Sequence, residues 1–151
     1  MAWWDKMGPG LMVTRATRVI ANENYAIFNV AGGRVLLTAL IGTVTTICAA
    51  AANVYLRLVP TLGTATTTNL CTASDVDATP VGDVMGITGI PGDALYPGGA
   101  ATRSSIPAMT MPVVLIVGAL QYCSDAASGG GAIQWEVWYK PLDDAGYVVA
   151  A

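Results

Sequence analysis

The sequence predicts an all-β chain folded as an antiparallel β-sandwich, and three observations carry that expectation. Apolar runs of strand length recur between clusters of turn-forming residues. Two of them, Asn53–Pro60 and Ala132–Lys140, alternate in character with period two, as a strand with one buried face must. No segment holds a 3.6-residue apolar period over a helix-length window.

The first fourteen residues read as an arm. Trp3 and Trp4 are adjacent, and Gly8-Pro9-Gly10 interrupts any continuous strand or helix. The sandwich domain is then expected over residues 15–151. The opening MAWWDKMGPGLMV lacks a charged region followed by an unbroken apolar stretch, so it is not expected to act as a secretory leader.

From Thr14 onward the expected strands are Arg15–Ile20, Tyr25–Val30, Arg34–Gly42, Val44–Cys48 and Asn53–Pro60, then Cys71–Val76, Asp83–Thr88, Val113–Cys123 and Ala132–Lys140. Ala21-Asn22-Glu23-Asn24, Ala31-Gly32-Gly33, Leu62-Gly63-Thr64 and Ser128-Gly129-Gly130-Gly131 supply the turns between them. Gly32-Gly33 is placed as a hairpin turn needing positive φ.

No residue from Val35 to Leu56 carries a formal charge, and a spanning helix needs about 20 apolar residues. Composition favours strands instead. Thr38, Thr43, Thr45 and Thr46 stand among Val35, Ile41, Val44 and Ile47, a β-branched mixture suited to a pleated surface. Gly42 and the run Ala49–Ala52 are expected to break the stretch into strand-length pieces.

In Asn53–Pro60, Val54, Leu56 and Leu58 share one face, which turns Arg57 outward. In Ala132–Lys140, Ile133, Trp135, Val137 and Tyr139 form the inner face, while Gln134, Glu136 and Trp138 look out. Gly89–Pro112 holds Pro91, Pro97, Pro107 and Pro112 with little alternation, which marks a long connection. Tyr96, Met109 and Met111 make it a candidate contact surface.

Composition narrows the function. Charged residues make up 11% of the chain, against about 25% in a typical soluble domain, so part of the surface is expected to be covered by other subunits. Net charge is −3 and there is no basic run, which argues against a nucleic-acid partner. The chain has no histidine, so no Ser–His or Cys–His nucleophile pair can be assembled. Its two lysines, Lys6 and Lys140, read as surface groups.

Asp75, Asp77 and Asp83 are the nearest approach to a carboxylate cluster, with Asp75 and Asp77 on one strand face, but the spacing fits no EF-hand loop. Gly129-Gly130-Gly131 is not followed by the helix of a phosphate cradle. Cys48, Cys71 and Cys123 are odd in number and lack CxxC spacing, which favours buried free thiols. Neither catalytic residues, nor a cofactor, nor a metal are expected.

Three segments invite comparison as a set: YAIFNVAGGRVLLTALIGTVTT, ATTTNLCTASDVDATPVGDVMGITG and GGGAIQWEVWYKPLDDAGYVVAA. Over Tyr25 to Ala151 the chain resembles the capsid cement or decoration proteins encoded beside capsid genes of tailed bacteriophages. The resemblance implies a jelly-roll-like sandwich that assembles as a homo-oligomer, dimer or trimer, over junctions between major capsid subunits. It also implies synthesis in the bacterial host cytoplasm and a place on the virion surface, and it brings no catalytic residues.

The candidate contacts with the capsid or a neighbouring copy are Trp3, Trp4, Met7, Leu11 and Met12 of the arm, with Tyr96, Met109, Met111 and Trp138, because aromatic and Met side chains are enriched in interface cores. The alternative is a carbohydrate-binding module of a phage fibre or surface protein, with Trp138 or Tyr96 stacking on a sugar. It would need Asp and Asn gathered beside the aromatic ring.

Overall fold

The structure, a computed structural model, describes residues 10–95 and 109–151. Within them lie twelve strands: β1 (Leu11–Thr14), β2 (Arg18–Val19), β3 (Asn24–Ala31), β4 (Val35–Thr46), β5 (Asn53–Pro60), β6 (Thr68–Asn69), β7 (Ser74–Asp75), β8 (Val84–Gly86), β9 (Val113–Leu115), β10 (Gly118–Ser124), β11 (Ala132–Pro141) and β12 (Tyr147–Ala150). No helix among the described residues is long and apolar enough to cross a membrane. The uncharged run forms β4 and the first half of β5.

The strands form two six-stranded sheets. The first runs β1-β11-β4-β8, with β2 also on β11 and β9 also on β4. The second runs β12-β3-β10-β5-β6, with β7 on β5. All strand pairings are antiparallel. The chain crosses between sheets at β2–β3, β3–β4, β4–β5, β7–β8, β9–β10, β10–β11 and β11–β12, which gives the jelly-roll order of the expected sandwich.

Alternation builds the core. Ile27 and Val30 of β3, Val54, Leu56 and Leu58 of β5, and Ile133, Trp135, Val137 and Tyr139 of β11 all turn inward and are buried. Tyr122 on β10 sits between the rings of Tyr25 and Trp135, at centroid distances of 5.4 and 5.7 Å. At about 25 cal/mol for each Å² of apolar surface removed from water, such side chains carry most of the folding free energy.

Several expected boundaries move. The last four residues of the arm, Leu11–Thr14, pair with β11 and belong to the sandwich. Gly42 does not break β4: it pairs with both Trp135 and Met85, and the strand runs on to Thr46. Val113–Cys123 divides at Ile116-Val117, where the chain leaves the first sheet for the second. Arg15–Ile20 shrinks to β2, and Cys71–Val76 to β7, with a further short strand, β6, ahead of it.

Gly32 has φ 73° as expected of the turn, yet it joins strands of different sheets rather than a hairpin. A Cβ there would lie 1.8 Å from the Ala145 carbonyl oxygen, so only glycine fits. β12 closes the second sheet against β3 and lies beside β1 at the same side of the sandwich.

Candidate interaction surface

The two outer faces differ in chemistry. On the second sheet the centre is polar: Arg57 on β5 faces outward, half-buried, and its Nε donates to Gln121 Oε1 of β10 at 2.9 Å. On the first sheet the centre is apolar. Trp138 of β11 stands between Met12 of β1 and Ala39 of β4, its register partners on either side. Lys140 is in register with Leu36, Leu36 with Val114, and Glu136 with Ile41.

A bulge between Trp138 and Tyr139 puts both Leu36 and Ala39 on this outer face despite their odd spacing along β4. Met12 and Val114 are about half exposed at opposite margins. A second apolar strip follows the side of the sandwich where β1 meets β12: Leu11 is 56% exposed, with Tyr147 and Val149 also exposed.

Of the contact residues expected from sequence, Trp3, Trp4, Met7 and Tyr96 lie outside the described residues. Met12 and Trp138 come together in register, with Leu11 beside them at the edge. Met111 is 55% exposed but stands apart, ahead of β9. Met109 turns the other way and packs half-buried against the core.

Leu36, Ile41, Val114, Tyr147 and Val149 were not expected. The bulge hides the first two by disturbing the alternation of β4, and Val114 sits in a run that looked like one long strand. Tyr147 and Val149 had a legible signal, the alternating strand-forming run GYVVA.

The remaining chemistry is structural. Asp75 and Asp77 do not share a strand face, because Asp77 lies past the end of β7. Asp75 Oδ1 instead accepts the backbone N–H of Asp77 at 2.9 Å and of Ala52 at 3.1 Å. Among the described residues no group of three or more Cys, Asp or Glu is placed to hold a metal ion.

All three cysteines are free and buried. Burial pushes the Cys71 thiol up to about 11, and raises those of Cys48 and Cys123 as well, so little thiolate is present at neutral pH. Arg34 clamps Asp143 across the β3–β4 and β11–β12 turns: its Nη2 donates to Oδ1 at 2.8 Å and its backbone N–H to Oδ2 at 2.7 Å. These bonds hold the Asp143 carboxyl down to about 2.

Searches against protein-family profiles, curated proteins and solved structures matched none of them to this chain.

Proposed function

We propose that this chain is a structural virion protein, a capsid cement or decoration protein that binds the outside of a major capsid shell across subunit junctions and strengthens it. The observation that carries the proposal is the apolar side strip where β1 and β12 meet. Leu11, Tyr147 and Val149 are all exposed there. A strip of this kind on a protein otherwise closed by two sheets is suited to burial against another surface. The resemblance of Tyr25–Ala151 to cement proteins points to the same role.

The work such a protein does is mechanical. A ligand that binds only the intact lattice stabilises it by mass action, so contacts spanning capsomer junctions oppose outward pressure from packed genome. Synthesis in the host cytoplasm precedes attachment at the virion surface, and the partners are the major capsid protein and further copies of this chain.

The test is reconstitution onto capsids that lack the protein, read as occupancy by electron microscopy. Tyr147→Glu, which puts charge into the strip at an exposed position, is expected to lower occupancy sharply. Deletion of residues 2–9 asks separately what Trp3, Trp4 and Met7 contribute and leaves β1 whole. Undiminished occupancy with both changes combined would refute the reading, as would genome release at the same temperature with and without the protein.

A further inference from the structure

We propose that the side of the sandwich where β1 and β12 run is a contact between two copies of this chain. The copies join edge to edge about a twofold axis normal to the sheets, so that β12 pairs antiparallel with β12 of the second copy. The contact goes beyond the decoration role, since it forms between copies in solution with no capsid present.

Open hydrogen-bonding groups carry the proposal. Strand residues alternate in which neighbour their N–H and C=O point toward. The Ala151 N–H donates to the Ile27 carbonyl at 3.1 Å, in line with the unbroken register of β12 on β3. Tyr147, Val149 and Ala151 therefore bond to β3, while Val148 and Ala150 direct their N–H and C=O away from the sheet. β1 has the same arrangement. The Arg15 N–H donates to the Trp135 carbonyl at 2.8 Å, in line with the register of β1 on β11, which leaves Met12 and Thr14 pointing outward. Among the described residues no further strand pairs with either edge, and no turn or loop hydrogen bond reaches these outward groups.

Unpaired edges are usually protected by charge, proline, a bulge or extreme shortness. The far side of this sandwich follows that rule. There β6 and β7 are two residues each, and β8 and β9 three, with Pro112 directly ahead of β9. β1 and β12 each run four residues, LMVT and YVVA, with no charge, no proline and no register shift. Leu11 and Met12 on β1, and Tyr147 and Val149 on β12, are between 41% and 56% exposed.

Two open edges on one side select the occupant. A lone extended peptide satisfies one sheet only. Because β1 lies beside β12, a second sandwich approaching edge-on meets both. A twofold axis normal to the sheets keeps each sheet in its own layer and reverses the strand direction. Each edge then meets its own copy in the antiparallel sense, which is an isologous contact.

The outward groups fix the register. Val148 of one copy stands opposite Ala150 of the other, and Ala150 opposite Val148, each pair exchanging both N–H···O bonds. Val149 meets itself on the axis as a β-branched cross-strand pair. Val148 is buried and faces inward, so Tyr147 and Val149 face outward on the joined sheet. The apolar strips of the two copies thus become continuous and stay uncovered, and Leu11 of β1 adds apolar surface to the same seam.

Disulfide trapping tests this register on the full chain. Val149→Cys places two thiols on a non-hydrogen-bonded pair with Cα atoms about 4.5 Å apart, within disulfide reach. An added oxidant should convert that variant to a covalent dimer. Tyr147→Cys sets the thiols about 14 Å apart along the reversed strands and should stay unlinked. The native thiols do not compete, because Cys48, Cys71 and Cys123 are all buried.

Sedimentation velocity at micromolar concentration should show a dimer for the unaltered protein. Ala150→Pro should raise its dissociation constant by at least about tenfold. That change removes an N–H that makes no bond within the chain, at an exposed edge position where proline is tolerated. Ala150→Val keeps the N–H and should keep the dimer. Tyr147→Glu separates this contact from the decoration role, since it should lower capsid occupancy and leave the dimer. A monomeric unaltered protein overturns the proposal. So does linkage through Tyr147→Cys in place of Val149→Cys, or a dimer indifferent to Ala150→Pro once thermal unfolding shows that variant folded. Should it not fold, trapping at position 149 decides alone.

Discussion

Gly42 lies flat against the indole of Trp135: a Cβ at position 42 would sit 2.9 Å from both Cη2 and Cζ3 of the ring. The two residues are register partners on β4 and β11, the central pair of strands in the first sheet. The largest side chain of the core thus takes the space that a missing side chain leaves. Gly42→Ala should force the indole off its rotamer and destabilise the fold by about 1–3 kcal/mol. In chemical denaturation this reads as a lower midpoint at unchanged slope. An unchanged midpoint would show that the ring yields freely.

Acid should loosen the clamp between Arg34 and Asp143. The carboxyl is held at about 2 against an ordinary value of 3.8, chiefly by hydrogen bonds from the Arg34 side chain and backbone. A carboxyl depressed by folding adds stability that is complete above its unfolded value and fades as pH falls through the folded one. The window is therefore pH 4 to 2. Because the pair is exposed, the effect is modest. Asp143→Asn should flatten this part of the urea-midpoint profile; equal slopes in both proteins would contradict the assignment.

The thiols should be silent in the folded protein. With Cys48, Cys71 and Cys123 all buried and their thiols raised by desolvation, an aromatic disulfide reagent at mildly alkaline pH is expected to label none of them until denaturant is added. Fast labelling of any one in the native state would mean that the sandwich opens at that site.

Methionine oxidation should follow the same map. Met111 and Met12 are about half exposed, whereas Met85 is fully buried on β8. Dilute peroxide is expected to convert Met111 and Met12 first and Met85 last. Oxidation of Met85 as early as Met111 would mean that the sandwich opens at β8.

Much of this fold is legible residue by residue. Asn53–Pro60 shows its exact alternation because both of its faces are regular, and Ala132–Lys140 reveals the inward Trp135 and outward Trp138 for the same reason. Gly42 misleads because a glycine's local preference is to interrupt a strand, while here tertiary contact with Trp135 requires the small residue and keeps the strand intact. The bulge opposite Trp138 has no marker in the sequence, so Leu36 and Ala39 could not be assigned to one face. Trp138 and Met12 are individually visible as exposed apolar candidates. Their adjacency is not, because 126 positions of chain separate them, and only the pairing of β1 with β11 brings them side by side.

That pairing has a bearing on how the protein is made. β11 holds together β1, β2 and β4, the earliest parts of the first sheet, yet it is the next-to-last strand to leave the ribosome. Until residues 132–141 emerge, β1 and β2 have no strand to pair with, and β4 has one edge open. Those parts of the first sheet must wait with open edges, β4 among them uncharged and rich in valine, isoleucine and threonine, the condition in which β-proteins fold slowly and stick to one another. Translation speed and the crowding of neighbouring polysomes should therefore govern the yield of soluble protein more than the stability of the finished sandwich does.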